Sequence, residues 1–292
     1  MMPFPSQASN QKWCACLVKT AKYPLKIGSV ARFCLTLIFA ATCLPIDAEE
    51  PPSSEDHEFE ELGVNRYTAP SIAQILKQLD ALKPLPFDRL KREPVEITGA
   101  TREQKGLLFG QLIADGFLLV ESERKNLVDD FGRVLIQHAR ALGVGDRVMR
   151  HSASLTELGR RADWPRMRQE LITTQTDVEQ AMLELRDEKM AHLISLGGWL
   201  RGLEICAATV ETDFSQQRAA VLARPELANY FANELQTLPP GLAESPLFGK
   251  IRTGLTALQS LLNKKPETLS RGDVTAIRTQ ANQLNNAIRQ GR

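Results

Sequence analysis

Residues 193–210 read LISLGGWLRGLEICAATV, and this stretch decides the fold class. Its apolar residues recur at alternating steps of three and four, the spacing that lines one face of an α-helix. The stripe consists of Leu193, Leu196, Leu200, Leu203, Ala207 and Val210. Because a helix this long needs a partner along its length, we predict an all-α fold, an antiparallel helical bundle in which several striped helices pack together.

The same spacing continues on both sides of this stretch. Upstream, Asp163 is a predicted N-cap, and the helix behind it carries the stripe Trp164, Met167, Leu171, Thr174, Val178, Ala181 and Leu185. Thr101 with Gln104 predicts a capping box at the first bundle helix. Downstream, the sequence PPG at 239–241 marks a break, and two more striped helices over 248–288 predict a C-terminal helical hairpin, either packed on the bundle or semi-independent.

The N-terminal region has the pattern of an export signal. Residues 33–44, FCLTLIFAATCL, form an apolar run preceded by basic residues and ended by Pro45. As a helix the run would be about 18 Å long, short of the ~30 Å hydrocarbon core of a bilayer. Ala48 offers a cleavage site before Glu49. We therefore predict a cleaved signal peptide and a periplasmic or secreted protein of a bacterial envelope, although the long basic segment leaves the true start codon open. A buried core helix is the alternative.

These patterns divide the chain into five regions. They are a signal peptide over 1–48, an acidic disordered tether over 49–70, a short helix and Pro-containing connection over 71–100, the main helical bundle over 101–238, and the C-terminal helical hairpin over 239–292.

The cysteines bear on anchoring and redox chemistry. Four of the five lie in the leader, so Cys206 alone remains after cleavage, and we expect it to be a buried, inert thiol. Residues 40–43, AATC, loosely resemble a lipoprotein cleavage box, and Cys43 could carry a lipid anchor. However, Ala40 stands where Leu is usual and Thr42 is bulkier than the usual small residue, so we favour cleavage after Ala48 and only transient membrane contact.

The charge balance argues against a nucleic-acid partner. The chain has 36 Lys+Arg and 35 Asp+Glu, so no net field attracts polyanions. Five of the basic residues and one acidic residue lie in 1–48. The exported chain would therefore be mildly acidic.

The glycine-rich segment within the central helix is the first candidate site. Glycine in a helix costs about 1 kcal/mol relative to alanine, so something should offset three of them. One interpretation is close helix–helix approach, since Gly198 and Gly202 lie one turn apart. The other is a ligand against exposed backbone, with Trp199 as a wall and Arg201 as an anion anchor.

Three histidines form the second candidate site. His138, His151 and His192 fall on or beside apolar faces, and Glu188 lies one turn before His192. Imidazoles and a carboxylate that converge in a bundle can bind a transition metal. The Glu-x-x-His and His-Glu-x-x-His patterns are absent, so locally bonded histidines are the plainer interpretation.

No sequence motif indicates catalysis or a bound cofactor. Walker, Gly-x-Ser-x-Gly, Cys-x-x-Cys and Cys-x-x-Cys-His patterns are all absent. The leading prediction is a non-enzymatic envelope protein that binds a partner protein or a small ligand. The alternatives are a metal-binding bundle that uses the three histidines and Glu188, and a structural protein that oligomerises through the 248–288 hairpin.

Overall fold

The computed structural model describes residues 72–95 and 97–292, and every regular element in those ranges is a helix. The all-α prediction is confirmed, while the antiparallel arrangement stays a prediction. The signal peptide and the tether lie outside the described residues.

The α-helices are α1 Ile72–Ala81, α2 Phe87–Leu90, α3 Arg102–Glu121, α4 Val128–Ala141, α5 Gly145–Arg161, α6 Trp164–Glu184, α7 Glu188–Thr212, α8 Gln216–Ala220, α9 Pro225–Glu234, α10 Pro240–Ala243, α11 Pro246–Leu262 and α12 Arg271–Gln290. Short 3-10 turns cover Lys125–Leu127, Leu235–Thr237 and Pro266–Thr268.

Helices α3 and α7 form the centre of the fold and make the most extensive helix–helix contact in it. Both are buried around most of their circumference, and from Met190 to Val210 only His192 is not fully buried. A helix that is apolar on all sides belongs inside a protein or a membrane. Helix α7 is long and apolar enough to cross a bilayer, but its apolar window is entirely covered by the rest of the chain.

Glycines allow α3 and α7 to touch backbone to backbone. A Cβ atom on Gly110 would overlap the carbonyl oxygen of Ile194, and one on Gly197 would overlap that of Leu107. Gly198 is less crowded, with the Gly110 oxygen 3.4 Å from its ideal Cβ position. Close approach therefore accounts for Gly197, which the sequence pattern did not single out, and Gly198 lies at ordinary contact distance from α3.

Two groups of helices enclose this central pair. Helices α4, α5 and α6 pack in succession on one another and reach α3 and α7. Helix α12 packs along α7 and carries α11 with it, so the C-terminal hairpin lies on the main bundle. The stripe of α12 is fully covered by this packing, and it comprises Val274, Ile277, Ala281, Leu284 and Ile288. Oligomerisation through the hairpin would therefore need a different surface of it.

The helix starts follow the predicted caps with one difference. The Asp163 side chain accepts from the Arg166 N–H, and the Thr101 hydroxyl accepts from the Gln104 N–H. The reciprocal half of the Thr101 capping box is replaced, because the Gln104 amide donates to the carbonyl of Ile288 on α12. The N-terminus of α3 is thus tied to the end of the last helix.

Candidate ligand-binding cleft

A cleft of about 390 Å³ opens between α3, α4 and the segment that follows α2. Helix α3 supplies Leu112, Asp115 and Leu119 from one face, and α4 supplies Phe131 and Val134. The remaining lining comes from α2, the segment after it, α3, α4 and the turn between α3 and α4: Phe87, Lys91, Arg92, Glu93, Pro94, Leu118, Leu127 and Asp130. Four other cavities measure only 10–20 Å³, about the volume that one water needs.

Beneath the cleft lies a buried ionic cluster centred on Arg201. The side chain of Arg201 is 1% exposed, and its Nε donates to Asp115 at 2.7 Å. Its terminal nitrogens reach Glu204 at 2.9 Å and the carbonyl oxygen of Leu90. The sequence had suggested Arg201 as an anchor for an external anion. The structure instead uses it to join α7, α3 and the end of α2.

Glu204 completes the cluster on the side of α12. Its two oxygens accept from Asn282 at 2.7 Å and from Asn285 at 2.8 Å. Burial by itself would raise the pKa of Glu204, but Arg201, Asn282 and Arg92 outweigh it, so the net shift is downward. Glu204 therefore stays ionised inside the fold.

Arg92 connects this cluster to the cleft. Its NH2 lies 3.1 Å from Asp115, and its NH1 lies 3.7 Å from Glu204, beyond hydrogen-bond distance. The Nε and NH1 atoms of Arg92 are buried and make no hydrogen bond. Burial lowers the pKa of Arg92, although Asp115 opposes the shift. Arg92 lines the cleft, whereas Arg201 does not, and two of the Arg92 nitrogen atoms are donors without a hydrogen bond.

The glycine-rich segment does not border this cleft. Trp199 packs on Phe231 with ring centroids 5.2 Å apart. Trp199, Gly202 and Cys206 line a cavity of about 10 Å³, which has no room for an organic ligand. Cys206 is buried, and burial raises its thiol pKa to about 12, as expected for an inert thiol. These residues are part of the core.

The structure gives each of the three histidines its own neighbours. His138 on α4 is buried beside the backbone of Val95, and burial lowers its pKa. His151 on α5 contacts two carboxylates of α6, with Nδ1 2.8 Å from Glu170 and Nε2 3.1 Å from Asp177. Within residues 72–95 and 97–292, no group of three or more His, Cys, Asp or Glu side chains is placed to hold a metal ion.

His192 belongs to a separate polar cluster between α6, α7 and α9. Its Nδ1 lies 2.6 Å from the Tyr230 hydroxyl and its Nε2 lies 3.5 Å from Glu234. Burial lowers the pKa of His192, while Glu234 and the exposed Glu188 oppose that shift. Burial raises the pKa of Tyr230. The hydrogen bond between the Tyr230 hydroxyl and His192 Nδ1 therefore joins α7 to α9 as a structural contact.

Sequence reasoning missed the cleft because its polar residues looked incidental. Arg92 lies in a stretch that reads only as a connection, and Asp115 is the one charged residue in the run 106–120 of α3. Buried polar residues are the informative exceptions in a core. Gln111 and Asp115, four residues apart among leucines and phenylalanines, were therefore the available signal.

Comparison of the chain with family models, with curated proteins and with solved structures finds no match. The arguments about function below therefore rest on the residues and geometry of this chain alone.

Proposed function

We propose that this chain is an exported helical protein of the bacterial cell envelope that binds a small ligand in the cleft and catalyses no reaction. The cleft carries the ligand-binding part. Its volume of about 390 Å³ falls within the ~300–1,000 Å³ that is usual for small-molecule sites, and apolar side chains surround a few charged ones. The non-enzymatic part rests on the sequence, which contains no catalytic motif.

Export is supported by the charge and hydropathy pattern of residues 1–48. We expect the chain, expressed in a Gram-negative host, to appear in the periplasmic fraction with Glu49 as its first residue, as read by intact mass. A form without residues 1–48 is the control and should stay in the cytosol. Full-length protein in the cytosol would disprove export. A lipid-modified Cys43 at the new N-terminus would show that the chain is anchored through Cys43 and not cleaved after Ala48.

Ligand binding is tested by filling the cleft. Val134 is half-buried on the wall, so Val134→Trp should occupy much of the space while leaving the helix intact. Leu185→Trp adds the same side chain at a position that is 56% exposed and serves as the matched control. We expect the uncharged environment-sensitive dye Nile red to bind the wild type and Leu185→Trp, and to bind Val134→Trp at least ten-fold more weakly. Equal binding to all three, with unchanged circular dichroism, would show that the cleft is not the site.

A further inference from the structure

The geometry points to an amphipathic carboxylate as the ligand of the cleft, with its head group beside Arg92 and its apolar body along α3 and α4. This inference rests on the proposed function and adds to it the chemical class of the ligand. Its support comes from the charges of the buried cluster, from the free donors of Arg92, and from the size of the space.

The cluster beneath the cleft carries one more cation than anions. Among the residues that the structure describes, Arg92, Arg201 and Arg289 share two carboxylates, Asp115 and Glu204. Both oxygens of Asp115 already accept from arginines, one from Arg201 and the other from Arg92. Both oxygens of Glu204 accept from asparagines, and one of them also faces Arg201. An uncompensated buried charge is costly, so an anion added here would be stabilised.

Arg92 is the cation that a ligand can reach. Its side chain is 15% exposed, whereas that of Arg201 is 1% exposed. The Nε and NH1 atoms of Arg92 make no hydrogen bond, so an anion in the cleft can accept from them while NH2 stays on Asp115. Guanidinium groups match carboxylates in geometry and charge, and charge-assisted bonds of this kind are among the stronger ones in proteins.

Apart from Arg92 and its partner Asp115, the charged groups of the lining lie at the rim. Lys91, Glu93 and Asp130 are exposed to solvent, and Asp130 is already paired with Arg133. Exposed charges are screened by water and salt and contribute little to binding. The buried end of the cleft, where Arg92 lies, therefore decides which head group is preferred.

The volume limits the length of the ligand. A volume of about 390 Å³ lies near the lower end of the ~300–1,000 Å³ that is usual for small-molecule sites, so the cleft suits a compact ligand. The apolar wall of Leu112, Leu119, Phe131 and Val134 suits an aliphatic or aromatic body. Decanoate, with a ten-carbon chain and one carboxylate, is a suitable probe.

The experiment compares head groups on a constant chain. Decanoate, decan-1-ol and decyltrimethylammonium are titrated into the purified protein at neutral pH, with displacement of Nile red and calorimetry as readouts. We expect decanoate to bind at least ten-fold more tightly than decanol, and the ammonium to bind most weakly. Arg92→Gln should abolish the preference for decanoate, Arg92→Lys should retain part of it, and Arg161→Gln, a change of an exposed arginine on α5, should leave it unchanged.

The outcomes separate this inference from the proposed function. If the three head groups bind equally, or if the ammonium binds best, the cleft binds ligands but the carboxylate assignment is wrong. Because this comparison uses the wild type, it holds even if Arg92→Gln fails to fold. If no probe binds and the wild type behaves like Val134→Trp, ligand binding in the cleft is itself disproved.

Discussion

The two faces of helix α3 differ more than its sequence suggests. On the side of α7, Gly110 meets backbone with no room for a methyl group, while Leu119 on another side borders the open cleft. Both faces are apolar, and both are read as buried. An apolar pattern therefore shows which faces of a helix are buried. Whether a buried face is tightly packed or borders a cavity depends on the helices around it.

The largest effect is expected from Gly110→Val, on the face of α3 that packs against α7. The new side chain would collide with the Ile194 carbonyl and push α3 and α7 apart, so we expect a loss of more than about 5 kcal/mol of unfolding free energy, or failure to fold. Gly132→Ala is the matched control on α4, where an added Cβ meets nothing within 4 Å. It should be neutral or stabilising by up to about 1 kcal/mol in urea unfolding. Similar losses in both variants would contradict the close crossing.

The buried ionic cluster centred on Arg201 is tested by Arg201→Met. The methionine fills similar space but leaves Asp115 and Glu204 buried beside fewer cations, so we expect a loss of about 3–5 kcal/mol. Arg133→Met, at a side chain that is 77% exposed, should change the unfolding free energy by less than about 0.5 kcal/mol. A loss below about 1 kcal/mol for Arg201→Met would mean that the cluster is solvated rather than buried.

Titration of Glu179 tests whether the interior beyond the cleft has low polarity. Burial raises the pKa of Glu179 to about 7, despite the hydrogen bond from Gln175. Because the folded pKa is raised, the folded state holds a proton that the unfolded state releases above about 4.5, and stability falls as pH rises from there through 7. We expect Glu179→Gln to be more stable than the wild type by about 1–3 kcal/mol at pH 8, and by much less at pH 5.

The control for this pH dependence is Glu244→Gln, at an exposed carboxylate. Its stability relative to the wild type should be the same at both pH values. If the difference in unfolding free energy between Glu179→Gln and the wild type is also independent of pH in urea unfolding, the Glu179 carboxylate is exposed to water and its pKa is not raised by burial.

The smallest effect is expected on the cleft wall. Val134→Ile adds one methylene group next to open space, so we expect a change within about 0.5 kcal/mol in thermal unfolding. A destabilisation of about 1–3 kcal/mol, typical of overpacking, would show that the wall is as tightly packed as the α3–α7 crossing.

The individual sites show where sequence reasoning reached its limit. Thr101 and Asp163 were found as caps because a cap depends on neighbours within three residues. Close helix packing was predicted for Gly198 and Gly202, whereas the most crowded position of α7 is Gly197; the residues that α7 meets there, Leu107 and Gly110, lie about 90 residues away and could not be paired with it from one sequence. The histidines were grouped by their similar patterns, and the structure gives each a different set of neighbours.

The sequence by itself determined that this chain is helical, which residues of most helices face inward, with Leu185 at 56% exposure an exception, and where several helices begin, because those properties depend on spacing and local hydrogen bonds. Only the tertiary structure decided that Arg92 and Asp115 meet Arg201 and Glu204 beside an open cleft, since their elements are far apart in the chain. The net charge of a buried cluster and the volume of a cavity depend on three-dimensional neighbours, and these two properties define the candidate site.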